Sequence, residues 1–564
     1  MITRRFSTPL LAALIVGFLF TVALPILDEP TRWLLGQSTG RAPLVLWHHW
    51  TQAEMWATGA PVPPTGFPSL PLTPKVYSPA HHGLFAALSR VTGTGPTGAA
   101  LAWNGAILSW LLIGAIGTVA LIRRLIPKAS AVSTGIGVIA IPISLGWSGA
   151  IVSGDVSDLP ALALPAHLAL LHRWVSTDRD MLSGLGAAAL LAIAVLCRWE
   201  MSFFVMAMAL PMAVVLGRHI QDRGEFVRWA CVLAPGMLLG AMHIWGSDGQ
   251  IIASVTTDTA PLRAPLSALV AADHLDQFAP WLLAMPTVGV LILAVLGSPQ
   301  GALANAGWWL CALWGILLAG GTTATPFIAP GRRMSDLIPV LQGITDWSAV
   351  TPLVAIPLGI LAAKGALALE KRHAGGIAIA LALAAVVDQS HHVIGIHSTD
   401  QRFSIRPTQV TTIAYEGISE GAVLVLPLPL SDSRNRGESL LEQRIHRRPV
   451  SVGPTPQGGG VTALSYLARL ALRMQTNPGS LPSPEIPLQP SEFLCATADI
   501  HNLIDLGFAA VSYRGLPDPG HPTWQSLRMV LGPPAFRDRT YTVWDLQQAT
   551  QSHDTAPCDL PPVP

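Results

Sequence analysis

The sequence predicts a mainly α-helical, polytopic membrane protein of about eleven spans that ends in a small C-terminal α/β soluble domain. Three observations lead there. Of the 564 residues, 51% are hydrophobic and only 12% charged, against about 25% charged in soluble domains. Mean hydropathy is +0.47, and apolar stretches of about 20 residues, the length a helix needs to cross a bilayer, recur as far as residue 395. Beyond residue 397 hydrophobicity falls and turn residues become frequent. The net charge of +1, with no basic patch interleaved with aromatics, gives no reason to expect a nucleic-acid partner.

The expected spans are 8–26, 98–121, 130–150, 157–174, 183–198, 201–217, 227–246, 279–297, 302–321, 348–367 and 374–395. The first follows Arg4 and Arg5 and lacks a small-residue cleavage motif, so it reads as a retained span and not a signal peptide. Short loops carrying Arg123, Arg124 and Lys128, Arg173 and Arg179, Arg218, Arg223 and Arg228, and Lys364, Lys371 and Arg372 fall on the side of Arg4 and Arg5. By the positive-inside rule that side is cytoplasmic, which puts the N-terminus inside and the tail from about 397 outside. Trp33, Trp47, Trp147, Trp199, Trp245, Trp281 and Trp347 fall near the opposite span ends, where amphipathic rings favour the headgroup zone.

Two regions interrupt the spans and divide the chain into a membrane domain, 1–396, and an extracytoplasmic domain, 397–564. The first outer loop, 27–97, holds LVLWHHWTQAEMWATG (44–59), a weakly amphipathic helix with Leu46, Trp50, Ala53 and Ala57 on one face. A proline-rich turn (61–74) follows, then YSPAHHGLFAALSRV (77–91), whose Leu84, Leu88 and Val91 mark a stripe at helical spacing. Both helices suit a membrane surface. In the tail, AVLVLPLP (422–429) reads as a buried strand and 462–475 as a helix. DIHNLIDLG (499–507) into FAAVSYRG (508–515) reads as helix–turn–strand, and 535–546 as a closing hairpin. Cys197, Cys231 and Cys311 lie in spans as small apolar residues. Cys495 and Cys558 are the tail's two cysteines, in an oxidising compartment, and form a candidate disulfide.

One span, a long outer loop with short helices and an acid directly after the span, about ten further spans and an outer tail: this plan resembles the C-type glycosyltransferase (GT-C) superfold of protein mannosyltransferases and the aminoarabinose transferase of lipid A. The resemblance implies polyprenyl-phosphate sugar donors and a carboxylate early in the first outer loop that acts as base or orients the acceptor. Asp28–Glu29 sits where the mannosyltransferases carry their own DE, and GWSGAIVSGDVSD (146–158) supplies Asp155 and Asp158 where several members carry another acid. The tail segments GAVLVLPLPLSDSRN, EQRIHRRPVSVG, LGFAAVSYRG and MVLGPPAFRDRTYTVWDL, with LWHHWTQAEMWATGAP and YSPAHHGLFAAL, are similar to a set of bacterial membrane proteins regarded as GT-C relatives. Many of those carry an Asp ahead of the LW…W segment. This chain reads APLVLWHHW, so the acidic role falls to Asp28 and Glu29 or is lost.

Inverting displacement at an anomeric carbon needs a carboxylate to take the acceptor's proton and cationic groups to hold the leaving phosphate. Asp28 is the first choice for base and Glu29 the second, with Glu54 as an alternative; a polar stop at the membrane interface is the other reading of the pair. Asp155 and Asp158, at i and i+3, share a helix face or are solvated loop residues. Arg332 and Arg333 in APGRRMSDL (329–337) lie outside against the charge trend and fit phosphate bidentately, or are surface residues. Arg198 and Glu200 share a tight turn and are expected to pair. Each of the pairs His48–His49, His81–His82 and His391–His392 points in two directions, so no metal ligand set is named, and a divalent ion stays open as cofactor. His167, within a span, reads as a hydrogen-bonded interhelical histidine. The implied function is sugar transfer from a polyprenyl-phosphate donor at the outer face of a bacterial inner membrane. A non-catalytic protein that binds or moves a lipid-linked glycan is the alternative.

Overall fold

The computed structural model describes residues 11–36 (except 14, 18 and 21), 42–59, 78–142, 156–176, 180–217, 223–246, 288–297, 302–319, 341, 344, 350–383, 402–405, 408–426, 433–452, 467, 490–514, 522–538 and 541–550. Two compact units emerge. One comprises Met1–Val45, Lys75–Gly93 and Thr97–Phe403, and the other Leu46–Pro74, Thr94–Pro96 and Ser404–Pro564.

In the first unit the described residues between 11 and 23 are helical and end in a 3-10 turn at Leu24–Ile26. The strand β1 (Trp33–Leu35) follows, and it pairs with β2 (Arg402–Ser404). The helices are α1 (Ala42–Thr58, the second unit from Leu46 onward), α2 (Pro79–Thr92), α3 (Pro96–Leu125), α4 (Ala131–Pro142), α5 (Leu164–Ser176), α6 (Met181–Val195), α7 (Trp199–Leu216), α8 (Arg223–Gly246), α9 (Val288–Gly297), α10 (Ala302–Ala319) and α11 (Thr351–Lys371). Proline opens α2 and α3, where its missing N–H and fixed φ cost nothing. Asp180 caps α6, its carboxylate accepting from the Leu182 N–H at 3.1 Å.

Among the described residues, four helices are long and apolar enough to cross a membrane: Pro96–Leu125, Trp199–Leu216, Phe226–Trp245 and Leu353–Lys371. Shorter apolar helices run over Ala131–Ile141, Met181–Val195 and Asn305–Leu318. The protein is therefore membrane-embedded and mostly helical. The apolar window of Leu353–Lys371 is 83% buried and that of Phe226–Trp245 only 33%; the former is the hub of the bundle and the latter faces outward. α9, α4 and α10 all pack against α11. Close approach to α9 is possible because glycines face each other: a Cβ on Gly365 would collide with the Leu293 carbonyl, and one on Gly297 with the Leu361 carbonyl.

Three expectations need correction. The fourth span is not one α-helix. Pro160 and Pro165 in VSDLPALALP force a 3-10 segment, Val156–Ala163, ahead of α5. Helix α1 does not lie on a surface with one face exposed. Its residues 42–54 are buried all round, Trp47 among them, which removes that tryptophan from an interfacial belt. In α2 the buried face is His81, His82, Phe85 and Ser89, while Val91 is 84% exposed. The visible leucine stripe misled because two histidines and a serine, with Phe85, occupy the inward positions.

The second unit carries a four-stranded sheet of order β3-β4-β6-β5, with β3 (Ala422–Leu426), β4 (Phe508–Arg514), β5 (Phe536–Arg537) and β6 (Tyr541–Asp545). β3 and β4 are parallel, in register Leu424↔Val511, and the other pairs antiparallel. Parallel strands covered on both faces read as continuous apolar runs, as AVLVL does. Helices α12 (Thr408–Ala414), α13 (Ser433–His446), α14 (Pro490–Asp505), α15 (Pro522–Leu531) and α16 (Leu546–Thr550) accompany the sheet. Leu424, Leu426, Ile500, Val511, Trp524 and Trp544 share its core. The expected helix 462–475 lies outside the described residues apart from Leu467.

Gly365→Ala is expected to lower the thermal midpoint of the detergent-purified protein, because helix backbones must separate. Gly376→Ala, with no atom within 4 Å of the added Cβ, is expected to leave it unchanged. Differential scanning fluorimetry of the two variants side by side checks this.

Candidate functional site

The segment that follows the first helix owes its path to α3. Asn104, within that apolar helix, accepts from the Leu35 N–H at 2.9 Å and donates to the carbonyls of Trp33 (2.8 Å) and Pro30 (3.2 Å). Trp103 donates its indole N–H to the Leu35 carbonyl at 2.9 Å. Gly36 then turns at φ +128°, where a Cβ would also collide with Ala42. β1 is thereby fixed, and its pairing with β2 sets Arg402 over the Trp33 indole, 4.0 Å from the ring centroid.

Arg402 binds the acid pair's first member. Its Nη1 donates to both Asp28 carboxylate oxygens at 3.0 Å and to the Pro25 carbonyl at 2.8 Å. The hydrogen bond from Arg402 holds the Asp28 carboxyl below its usual value of 3.8. The Asp28 side chain is 57% exposed and that of Arg402 22%. Glu29 pairs with Arg32 at 3.0 Å, and Arg32 also lies over Trp33, 5.2 Å from the centroid. Two guanidiniums, each bound to one carboxylate, thus lie against one indole.

The other acidic candidates are held elsewhere. Arg198 binds Asp158 at 3.1 Å and Glu200 at 3.0 Å, all three largely buried. The expected Arg198–Glu200 pair is thus present, with a second carboxylate added. Around it the Ser157 carbonyl accepts from the Arg198 N–H and the Ser78 hydroxyl, tying the start of α2 to the turn before α7. Glu54 belongs to the second unit, where Arg444 and Arg447 bind its carboxylate. On α13 in that unit, Glu438 and Glu442 both bind Arg514 at 2.6 Å. Asp155, Arg332 and Arg333 lie outside the described residues. Cys495 is disulfide-bonded, and its expected partner Cys558 also lies outside them.

His167 Nδ1 contacts the Ala187 carbonyl at 2.7 Å, the interhelical hydrogen bond expected of it. His81 and His82 are buried on α2, with His81 edge-on to Trp103 at 5.7 Å. Burial drives the His82 and His48 imidazoles down to about 4, so both are neutral at pH 7. His391 and His392 lie outside the described residues. Among the described residues no three His, Cys, Asp or Glu side chains are grouped to hold a metal. Helices α7, α8 and α10 line an apolar cavity of about 820 Å³, walled by Phe203, Met206, Leu210, Met237, Trp245 and Trp314.

Arg402, Asn104 and Trp103 were missed by sequence reasoning. Arg402 stands 374 residues from Asp28, and only strand pairing brings them together. Asn104 left a readable signal: an amide inside ALAWNGAIL, where an intramembrane polar group marks a site or an interhelical tie.

This architecture is that of a membrane-embedded GT-C-like fold. An arabinofuranosyltransferase from mycobacteria, AftD, superposes with TM-score 0.52 at 15% identity, over 92% of this chain and 37% of AftD; the chain thus spans little more than a third of that protein. ArnT from Cupriavidus metallidurans gives 0.48 at 16% identity over 94% of this chain and 97% of that one. The Archaeoglobus fulgidus oligosaccharyltransferase gives 0.46 at 11% over 91% and 70%. No protein-family model matches the sequence, and no curated protein matches it either.

Asn104→Leu keeps the side-chain size but leaves three backbone groups without partners, at about 1–3 kcal/mol for each group left buried. The variant is expected to lose several degrees in thermal midpoint and to loosen residues 30–35, read as faster amide exchange there.

Proposed function

We propose that the protein is a membrane glycosyltransferase. It transfers a sugar from a polyprenyl-phosphate donor to an acceptor at the outer face of a bacterial inner membrane, with its N-terminus cytoplasmic. The membrane domain crosses about eleven times, and the α/β tail from about residue 397, with Cys495 paired to Cys558, lies outside. The observation that carries this reading is Asp28: an exposed carboxylate, ionised at neutral pH, directly after the first helix of a GT-C-like fold. The likeness to a fold used by an arabinofuranosyltransferase supports the reaction class, and the apolar cavity between α7, α8 and α10 supports a lipid-tailed donor.

In this reaction Asp28 accepts the proton of the acceptor hydroxyl as its oxygen attacks the anomeric carbon. The bond from that carbon to the phosphate oxygen breaks, and its electron pair leaves with the polyprenyl phosphate. Configuration at the anomeric carbon inverts. Cationic groups stabilise the leaving phosphate; Arg332 and Arg333 were the sequence candidates for that role. Glu29, engaged by Arg32, is the second choice for base.

One observation favours the alternative, a non-catalytic carrier of lipid-linked glycan: both acids of the pair are bound by arginines. Native mass spectrometry separates the two. If the protein is a transferase, Asp28→Asn retains a co-purifying polyprenyl-phosphate sugar where wild type holds bare polyprenyl phosphate or nothing, and single-turnover transfer drops about 10²–10⁴-fold. A carrier holds the same lipid in both.

The pH dependence has a definite sign. Arg402 favours the charged carboxylate, so the free enzyme's base takes up its proton at a lower pH than an ordinary aspartate, and function is lost as pH falls through that depressed value. The acid limb of kcat/KM is expected below the usual aspartate range in wild type and to move upward in Arg402→Gln.

A further inference from the structure

We propose that Arg402 and Arg32, stacked on the Trp33 indole, form a phosphate-ester site whose resting occupants are the Asp28 and Glu29 carboxylates, so that the arriving phosphate displaces Asp28. The proposal rests on the glycosyltransferase reading for its consequence but on local geometry for its substance.

Two guanidiniums over one indole, at 4.0 and 5.2 Å, concentrate positive charge where a chain leaves its first helix. Each is neutralised by one carboxylate, and these are weak locks. The Asp28, Glu29 and Arg32 side chains are all at least half exposed, and exposed ion pairs contribute little because water and salt screen them. A phosphate ester carries more charge and offers oxygens spaced for a guanidinium fork.

Arg402 is prepared for such an exchange. The Pro25 carbonyl and the indole face hold it independently of Asp28, so its guanidinium stays in position when the carboxylate departs. Among the described residues, all its hydrogen bonds come from Nη1. The arriving phosphate takes Nη1 from Asp28 together with a second donor of the same fork, which carries five N–H donors in all. Once phosphate takes the guanidinium, Asp28 is left beside the ligand without its cation, with lone pairs open to an acceptor hydroxyl. Substrate arrival itself would unmask the base.

The test is binding of farnesyl phosphate to full-length protein in nanodiscs, with farnesol and inorganic phosphate as comparison probes. Arg402→Gln is expected to weaken farnesyl phosphate about tenfold or more without altering farnesol binding, and Arg402→Lys, which keeps charge but not the fork, to fall between. Asp28→Asn is expected to tighten farnesyl phosphate several-fold, because the competing carboxylate is gone. A purely structural tie gives no such opposition of sign. Equal weakening by Asp28→Asn and Arg402→Gln, or no effect of either, would overturn the site.

Competition by inorganic phosphate with the same pattern of signs assigns the site to free phosphate, and competition by the lipid ester alone assigns it to the lipid. Tighter binding with transfer intact in Asp28→Asn sinks the base reading and leaves the phosphate site standing. Lost transfer with phosphate binding unchanged in every variant does the reverse.

Discussion

A single amide in an apolar helix, Asn104, satisfies three backbone groups of the chain that leaves the first helix, and the arrangement of the acid pair depends on it. Backbone amides in a low-dielectric surround must find partners, because each one left unpaired costs about as much as the net worth of two or three ordinary hydrogen bonds. Residues 30–35 supply only part of them: the Arg32 and Trp33 N–H groups reach back to the Glu29 carbonyl, and β1 is a three-residue strand with one neighbour. With α3 supplying the partners, β1 takes one path, β2 pairs beside it, and Arg402 arrives over Trp33.

The same accounting explains why the carboxylates differ in character. Asp158 and Glu200 share one largely buried arginine, and Glu54 is enclosed by two. Removing the arginine from such a buried group leaves a charge with no compensation, a strongly unfavourable state. Those acids are committed to structure. Asp28 and Glu29 have partners too, but their pairs stand in water, where separating them costs little. An exposed and loosely held acid can exchange its partner, which the buried acids Asp158, Glu200 and Glu54 cannot do without stranding a charge.

Glycine and proline shape the bundle by opposite means. Gly297 and Gly365 let α9 and α11 approach until backbone meets backbone, which makes α11 the hub. Pro160 and Pro165 deny the fourth span a continuous α-helix and leave a 3-10 segment that carries Asp158 to Arg198. The histidines on α2 fit the same logic: burial keeps His82 neutral, so it enters the interior without a counter-ion.

Composition and the recurrence of apolar runs determined by themselves that this is a helical membrane protein, because the cost of burying peptide groups in lipid admits little else. Period and turn residues also foretold the strand at Ala422–Leu426, the helix-to-strand passage into Phe508–Arg514 and the hairpin that ends at β6. Asp28 and Glu29 stood out in the sequence because charge is conspicuous beside an apolar run. What they touch was decided only by tertiary structure. Arg402 lies near the start of the tail, and Asn104 looks like a blemish in a span until the chain folds across it. The inward face of α2 was hidden for a related reason: apolar periodicity finds the residues that avoid water, whereas here histidines pack inward, His82 neutral and His81 against the Trp103 ring, and such neighbours are chosen by distance in space, not along the chain.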